Sequence, residues 1–158
     1  MSDFFQLVEQ RESCRNYDPQ KRPTKEQLVR CIQAAQLSPS ACNSQPWSFL
    51  VINSPEKAAV VAASTQCAGF NKFTDNCPSF IAVCEEDAYL MGDPQHPNQK
   101  YADIDLGITV AHLCYAAKQQ GLSTCIMGAF DKKMLLEGLG ITGDKRRSEE
   151  HTSELQSQ

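Results

Sequence analysis

The chain has 158 residues, a net charge of −4 and a pI near 5.3, so it reads as one acidic domain large enough to bury a core. No basic stripe is visible, which argues against nucleic acid as a partner. No apolar run approaches the roughly 18 residues a membrane span needs, and Asp3 and Glu9 stand where a secretion signal would be basic. A cytoplasmic location with no membrane partner is the expectation.

The predicted elements follow in chain order. Asp3 to Gln10 carries Phe4, Leu7 and Val8 on one helical face. Thr24 to Gln36 is a second helix. Pro23 precedes it, Thr24 and Gln27 form a capping box, and Leu28, Cys31, Ile32 and Ala35 make its apolar stripe. Trp47 to Ile52 reads as a strand, and Glu56 to Gln66 as a helix opened by Ser54-Pro55. Ser79 to Cys84 is a short strand and Asp87 to Gln99, with Gly92, Pro94 and Pro97, a loop. Ile104 to Gln120 is a long helix, apolar on most of its circumference, expected to be buried or at a subunit interface, with Gly121 ending it. Ser123 to Met127 is a third predicted strand, and Asp131 caps a last helix running to Leu139. Helices and strands in this order predict an α+β or α/β layer fold, with a further strand after Gly140-Ile141.

Residues 147–158 do not read as domain sequence. They match, through Ser157, the in-frame translation of a common sequencing-library adapter, and they hold half of the net charge. The expectation is one domain over 1–146, incomplete at its C-terminus, followed by a non-native tail at 147–158.

Three segments could carry chemistry. In Arg11-Glu12-Ser13-Cys14-Arg15, two guanidinium groups flank a hydroxyl, which suits phosphate oxygens. A solvated helix end explains the same residues. In Ser38-Pro39-Ser40-Ala41-Cys42-Asn43-Ser44-Gln45-Pro46-Trp47, two prolines stiffen a loop whose carboxamides suit the polar edge of a planar heterocycle. A plain helix-to-strand connection is the alternative. Met127-Gly128-Ala129-Phe130-Asp131 is small enough to let backbone approach a flat ligand, or is simply a turn with Asp131 as cap. Asp103 and Asp105 fit a role at a helix start. His112 reads as a core histidine, and His96 has no partner in sequence. The eight cysteines form no C-x-x-C, so structural packing is expected for most of them. No Ser-His-Asp, metal-ligand or Walker pattern is present, and neither a catalytic residue nor a metal is expected.

Taken together, Arg11-x-Ser13-x-Arg15, Pro39-Ser40-x-x-Asn43-x-Gln45-Pro46-Trp47 and Gly121-Leu122-x-Thr124-Cys125-x-Met127-Gly128-x-Phe130-Asp131 resemble the FMN-dependent nitroreductase family. Asn71-Lys72-Phe73, Cys77-Pro78-Ser79-Phe80 and Asp105-Leu106-Gly107-Ile108 extend the likeness to about residues 1–143. The resemblance implies a three-layer α/β/α sandwich of the α+β class, with a central mostly antiparallel sheet and a long buried helix. It implies an intertwined homodimer with FMN at the interface and NAD(P)H as co-substrate. Arg11 and Ser13 match positions that hold the FMN phosphate and ribityl chain, and Arg15 a position near the phosphate or the pyrimidine edge. Pro39, Ser40, Asn43 and Gln45 match the segment that reaches the flavin of the other subunit. Gly128 and Ala129 match the backbone beside flavin N5, and Lys72 a second cation near N1.

The implied activity is ping-pong: NAD(P)H reduces FMN, which then reduces a nitroaromatic, quinone or similar acceptor. The alternatives are a flavin-binding or sequestering protein without turnover, a truncated inactive fragment, and a cysteine-based redox or metal sensor. The family's C-terminal strand and basic tail have no counterpart here, so weak FMN retention is expected of the chain as written.

Overall fold

The computed structural model describes residues 3–141. The strand expected after Gly140-Ile141 and the 147–158 tail lie outside the described residues.

The first helix, α1, spans Phe4–Gln10. Helix α2, Lys25–Gln36, begins at the predicted capping box: the Thr24 hydroxyl accepts the Gln27 N–H, and the Gln27 side chain accepts the Thr24 N–H. Strand β1, Trp47–Ile52, leads through the Ser54-capped helix α3, Pro55–Thr65, to strand β2, Phe80–Glu85. Helix α4 spans Ala102–Gln119, and the chain leaves it through Gly121, whose φ of 76° favours glycine. Helix α5, Lys132–Leu139, is capped by the Asp131 carboxylate on the Met134 N–H and ends at Gly140 in the left-handed region.

Strands β1 and β2 pair antiparallel, with Trp47 opposite Glu85 and Ile52 opposite Phe80. Their alternation separates two cores. Leu50, Ile52, Phe80 and Ala82 face Ala58, Val61 and Ala62 of α3, with Leu135 and Leu139 of α5 completing that layer. Phe49 and Ile81 face Cys31 and Ala35 of α2 and Leu113 and Ala117 of α4. This is the expected α/β/α layering and α+β class. Helix α2 is locked to α4 by the Thr109 hydroxyl on the Ala35 carbonyl at 2.7 Å, and by reciprocal amide bonds between Gln27 and Gln120.

Two expectations change. Ser123–Met127 forms no strand among the described residues. Only Thr124 pairs, in a single parallel bridge to Ser13. Ile126 is 67% exposed, and among the described residues the segment gains no further ladder bonds. His112 is exposed rather than in the core, and its Nδ1 lies 2.9 Å from the Ile108 carbonyl. Helix α4 buries Ala102, Asp105, Thr109, Leu113, Cys114 and Ala117 on one side, so the position of His112 falls on the open side. Among the described residues no helix is long and apolar enough to cross a membrane.

Candidate functional site: two polar segments and a loop anchored on a buried aspartate

The end of α1 sets up the first segment. Arg11 caps the helix, its N–H on the Leu7 carbonyl, and its φ of −73° and ψ of 117° send the chain into extended geometry. Ser13 then meets Thr124 in the parallel bridge, and the Cys14 N–H donates to the Thr124 carbonyl at 2.9 Å. Residues 11–15 and the segment leading to Gly128 therefore run side by side. Arg11 is half-buried; Ser13 and Arg15 are exposed. Arg15 has only a long bond, 3.4 Å, to the Ser13 carbonyl. Among the described residues neither arginine is in an ion pair.

The Gly128–Ala129 segment is held from behind. Met127 packs into the α3–α5 core, and the Asp131 N–H donates to the Ser64 carbonyl at 2.8 Å. Asn71, in the left-handed region at φ 53°, donates its amide to the carbonyls of Thr65 at 3.0 Å and Ala129 at 3.4 Å. Sequence reasoning gave Asn71 no role; its signal was its place in Asn71-Lys72-Phe73. Lys72 is exposed at the start of a short 3-10 turn, Lys72–Asn76. Gly128 itself has no positive φ, and a Cβ built there would meet no atom within 4 Å. Nothing among the described residues demands glycine at that position.

The Ser38–Trp47 loop is far more constrained than its composition suggests. Cys42, Asn43 and Gln45 all have positive φ, at 53°, 54° and 49°. That is a costly conformation for non-glycine residues and persists only where the surroundings over-determine it. The restraints are visible. The Ser38 hydroxyl donates to the Ala35 carbonyl, the Ser40 hydroxyl accepts the Gln45 N–H, and the Ser44 hydroxyl accepts the Tyr89 N–H. The Ala41 N–H donates to both oxygens of the Asp105 carboxylate, which is buried at the start of α4. Pro39, Asn43 and Gln45 stay exposed, and among the described residues neither carboxamide side chain has a hydrogen bond. Beside the loop lies a shallow groove of about 240 Å³ lined by Pro39, Ser40, Ala41, Tyr101, Ile104 and Ile108.

The structure thus brings the segment of Arg11, Ser13 and Arg15 alongside the segment leading to Gly128 and Ala129. It gathers Pro39, Ser40, Asn43 and Gln45 into a second unit. No hydrogen bond among the described residues joins the two units. Nor do any three His, Cys, Asp or Glu side chains among them stand where they could hold a metal ion.

Behind the first unit, Tyr17 packs near Phe73, ring centroids 6.3 Å apart, and close to Cys14, Cys77 and Cys125. Burial, aided by those thiols, holds the Tyr17 phenol well above its ordinary range. Burial likewise pushes the Cys77 thiol up to about 11, against a backbone hydrogen bond at Ser79 that acts the other way.

The model of the nitroreductase family matches residues 8–68 and 55–148. YdgI of Bacillus subtilis strain 168, whose name assigns it as an NAD(P)H nitroreductase, is 30% identical over 92% of this chain and 83% of its own length. The oxygen-insensitive NADPH nitroreductase of Helicobacter acinonychis is 27% identical over 80% of this chain and 74% of its own. A nitroreductase of Exiguobacterium sibiricum, solved in complex with FMN, superposes with a TM-score of 0.73 at 27% identity, covering 91% of this chain and 83% of that one. On sequence and fold together, the chain belongs to the nitroreductase family.

Proposed function

We propose that the chain is an FMN-dependent NAD(P)H oxidoreductase that reduces a nitroaromatic, quinone or similar acceptor by a ping-pong route. The observation that carries this reading is Gly128. Open space lies where its side chain would be, on a segment bridged to one whose arginines are in no ion pair among the described residues, which fits a flat, phosphorylated heterocycle. The match to relatives named as NAD(P)H nitroreductases, and to one solved with FMN, supports the same cofactor and co-substrate.

In this reading Arg11 and Arg15 offer paired N–H donors to phosphate oxygens and Ser13 adds a hydroxyl. The backbone at Gly128 and Ala129 lies against the ring, fixed by Asn71 and by the Asp131 N–H. Pro39, Ser40, Asn43 and Gln45 serve the FMN of a second subunit, which accounts for their separation from Arg11. Bound FMN supplies the hydride acceptance and donation, so the chain needs no acid–base pair of its own. A homodimer is part of the proposal. Ile104 on the open side of α4 is 61% exposed, and Phe4 and Phe5 are 63% and 72% exposed, which is apolar surface a second copy would cover. Residues 1–146 form the cofactor-binding domain, and a cytoplasmic location completes the reading.

The test is FMN titration followed by anaerobic NAD(P)H oxidation with nitrofurazone or menadione under excess FMN. Turnover that depends on FMN and on the acceptor supports the enzyme. Bound FMN without turnover points instead to a flavin-sequestering protein. Gly128→Val should abolish FMN binding while the fold is retained, because a Cβ there meets no atom within 4 Å.

A further inference from the structure

Three of the eight cysteines converge behind the Arg11–Arg15 segment, and two of them stand in register. The parallel bridge pairs Ser13 with Thr124, so Cys14 and Cys125 are the next opposed residues along the two segments. The Cys14 N–H bond to the Thr124 carbonyl, 2.9 Å, holds the backbones at strand spacing there. Opposed residues of paired parallel segments leave on the same face about 4.8 Å apart, inside the roughly 4.4–6.8 Å Cα separation that a disulfide spans. Both thiols are free and half-buried; the Cys14 S–H lies on the Asn16 carbonyl at 3.5 Å and the Cys125 S–H on the Ile126 carbonyl at 3.8 Å, so closure requires both side chains to rotate. Burial raises the Cys125 thiol, and the Arg15 guanidinium acts the other way.

We propose that Cys14 and Cys125 are a peroxide-responsive dithiol that closes to a disulfide and staples the Arg11–Arg15 segment to the segment leading into Gly128. A thiolate of the pair attacks one oxygen of hydrogen peroxide. The O–O bond breaks, a sulfenic acid forms and the first water leaves. The second thiol attacks the sulfenic sulfur, the S–S bond forms, the S–O bond breaks and a second water leaves. Two thiols are oxidised by two electrons and one peroxide is reduced to two waters. Cys77 is nearby, its S–H on the Ser79 carbonyl at 3.2 Å, but lies on neither of the two bridged segments. The consequence for the flavin rests on the proposed function: the two stapled segments are those assigned to the FMN phosphate and ring, so the disulfide slows FMN release.

The experiment treats the full chain with hydrogen peroxide, blocks residual thiols with N-ethylmaleimide and maps cross-linked peptides by mass spectrometry. An intramolecular Cys14–Cys125 peptide, kept in Cys77→Ala and lost in Cys14→Ser and in Cys125→Ser, is the expected result. A cross-link through Cys77, one between two chains, or no cross-link while both thiols remain alkylatable overturns the pair. FMN release from the oxidised chain should be several-fold slower than from the reduced chain. An unchanged release rate with the cross-link formed overturns the coupling to the flavin. A mapped cross-link with no FMN bound in either state overturns the proposed function and leaves the disulfide standing.

Discussion

The buried carboxylate of Asp105 receives the backbone N–H of Ala41 with both oxygens at 3.1 Å, across 64 residues of chain. It joins the first turn of α4 to the strained loop that carries Ser40, Asn43 and Gln45. Replacing Asp105 by Ala strands the Ala41 N–H, a loss of about 1–3 kcal/mol. Asp105→Asn keeps an acceptor and should cost less than half as much. Amide hydrogen exchange at Ala41 should accelerate in D105A and much less in D105N. Under the proposed function, FMN affinity should weaken by about tenfold in D105A, or ~1.4 kcal/mol. Equal exchange rates in the two variants would show that the carboxylate does not hold the loop.

Arg22 ties three stretches of backbone. Its Nη1 donates to the Asn53 carbonyl at 2.7 Å and, in a shorter contact, to the Pro78 carbonyl, while the Asn53 amide donates to the Pro23 carbonyl. The residue sits where β1 ends and the chain enters β2. Arg22→Ala removes a charged donor from two half-buried carbonyls and should destabilise by about 2–3 kcal/mol. The check is urea unfolding, with a lower midpoint and an unchanged m-value. An unaltered midpoint would mean water replaces the guanidinium without loss.

Much of this architecture is legible in the residues themselves. The Thr24/Gln27 box, the Trp47–Ile52 strand and the Asp131 cap follow from local chemistry, because each depends on neighbours within a few residues. The Ser123–Met127 segment misleads because its apolar run fits a strand, yet a strand needs a paired neighbour, and among the described residues only Ser13 pairs with it. Arg11, Ser13 and Gly128 are readable as an ordered set, but among the described residues only the bridge of Ser13 to Thr124 joins their two segments. Asp105 is the opposite case: two aspartates at a helix start look like dipole partners, and only the fold shows that Asp105 turns to a loop far back in the sequence. The positive φ angles at Cys42, Asn43 and Gln45 are equally invisible in composition, since long-range bonds from Asp105 and Tyr89 impose them.

The thiol of Cys77 gives a pH-dependent readout. Burial raises it from an ordinary 9.0 to about 11 in the folded chain. Between those values the unfolded chain has lost a proton that the folded chain keeps. The unfolded state thus binds fewer protons, and stability falls as pH rises from 9 to 11. The raised Tyr17 phenol acts in the same direction at still higher pH. Cys77→Ala should flatten the decline in the chemical-denaturation midpoint over that window. Alkylation of Cys77 by iodoacetamide in the folded chain should have its midpoint near 11, well above that of a free thiol. A midpoint near 9 would mean the thiol is hydrated.

Gly138 lies inside α5, where glycine ordinarily costs about 1 kcal/mol against alanine. Its backbone lies so close to α3 that a Cβ would overlap a methyl of Val60. Val60 is β-branched and stiff at χ1, so the methyl cannot swing aside without a rotamer change or a shift of the helix. The propensity gain and the steric cost therefore oppose each other, and overpacking of this kind typically costs about 1–3 kcal/mol. Gly138→Ala should lower the melting temperature despite its better helix propensity. The double variant Val60→Ala/Gly138→Ala removes the clash and should recover part of the loss. A single variant that melts higher than the wild type would mean α3 and α5 separate freely, and that their contact does not define the core beneath Met127.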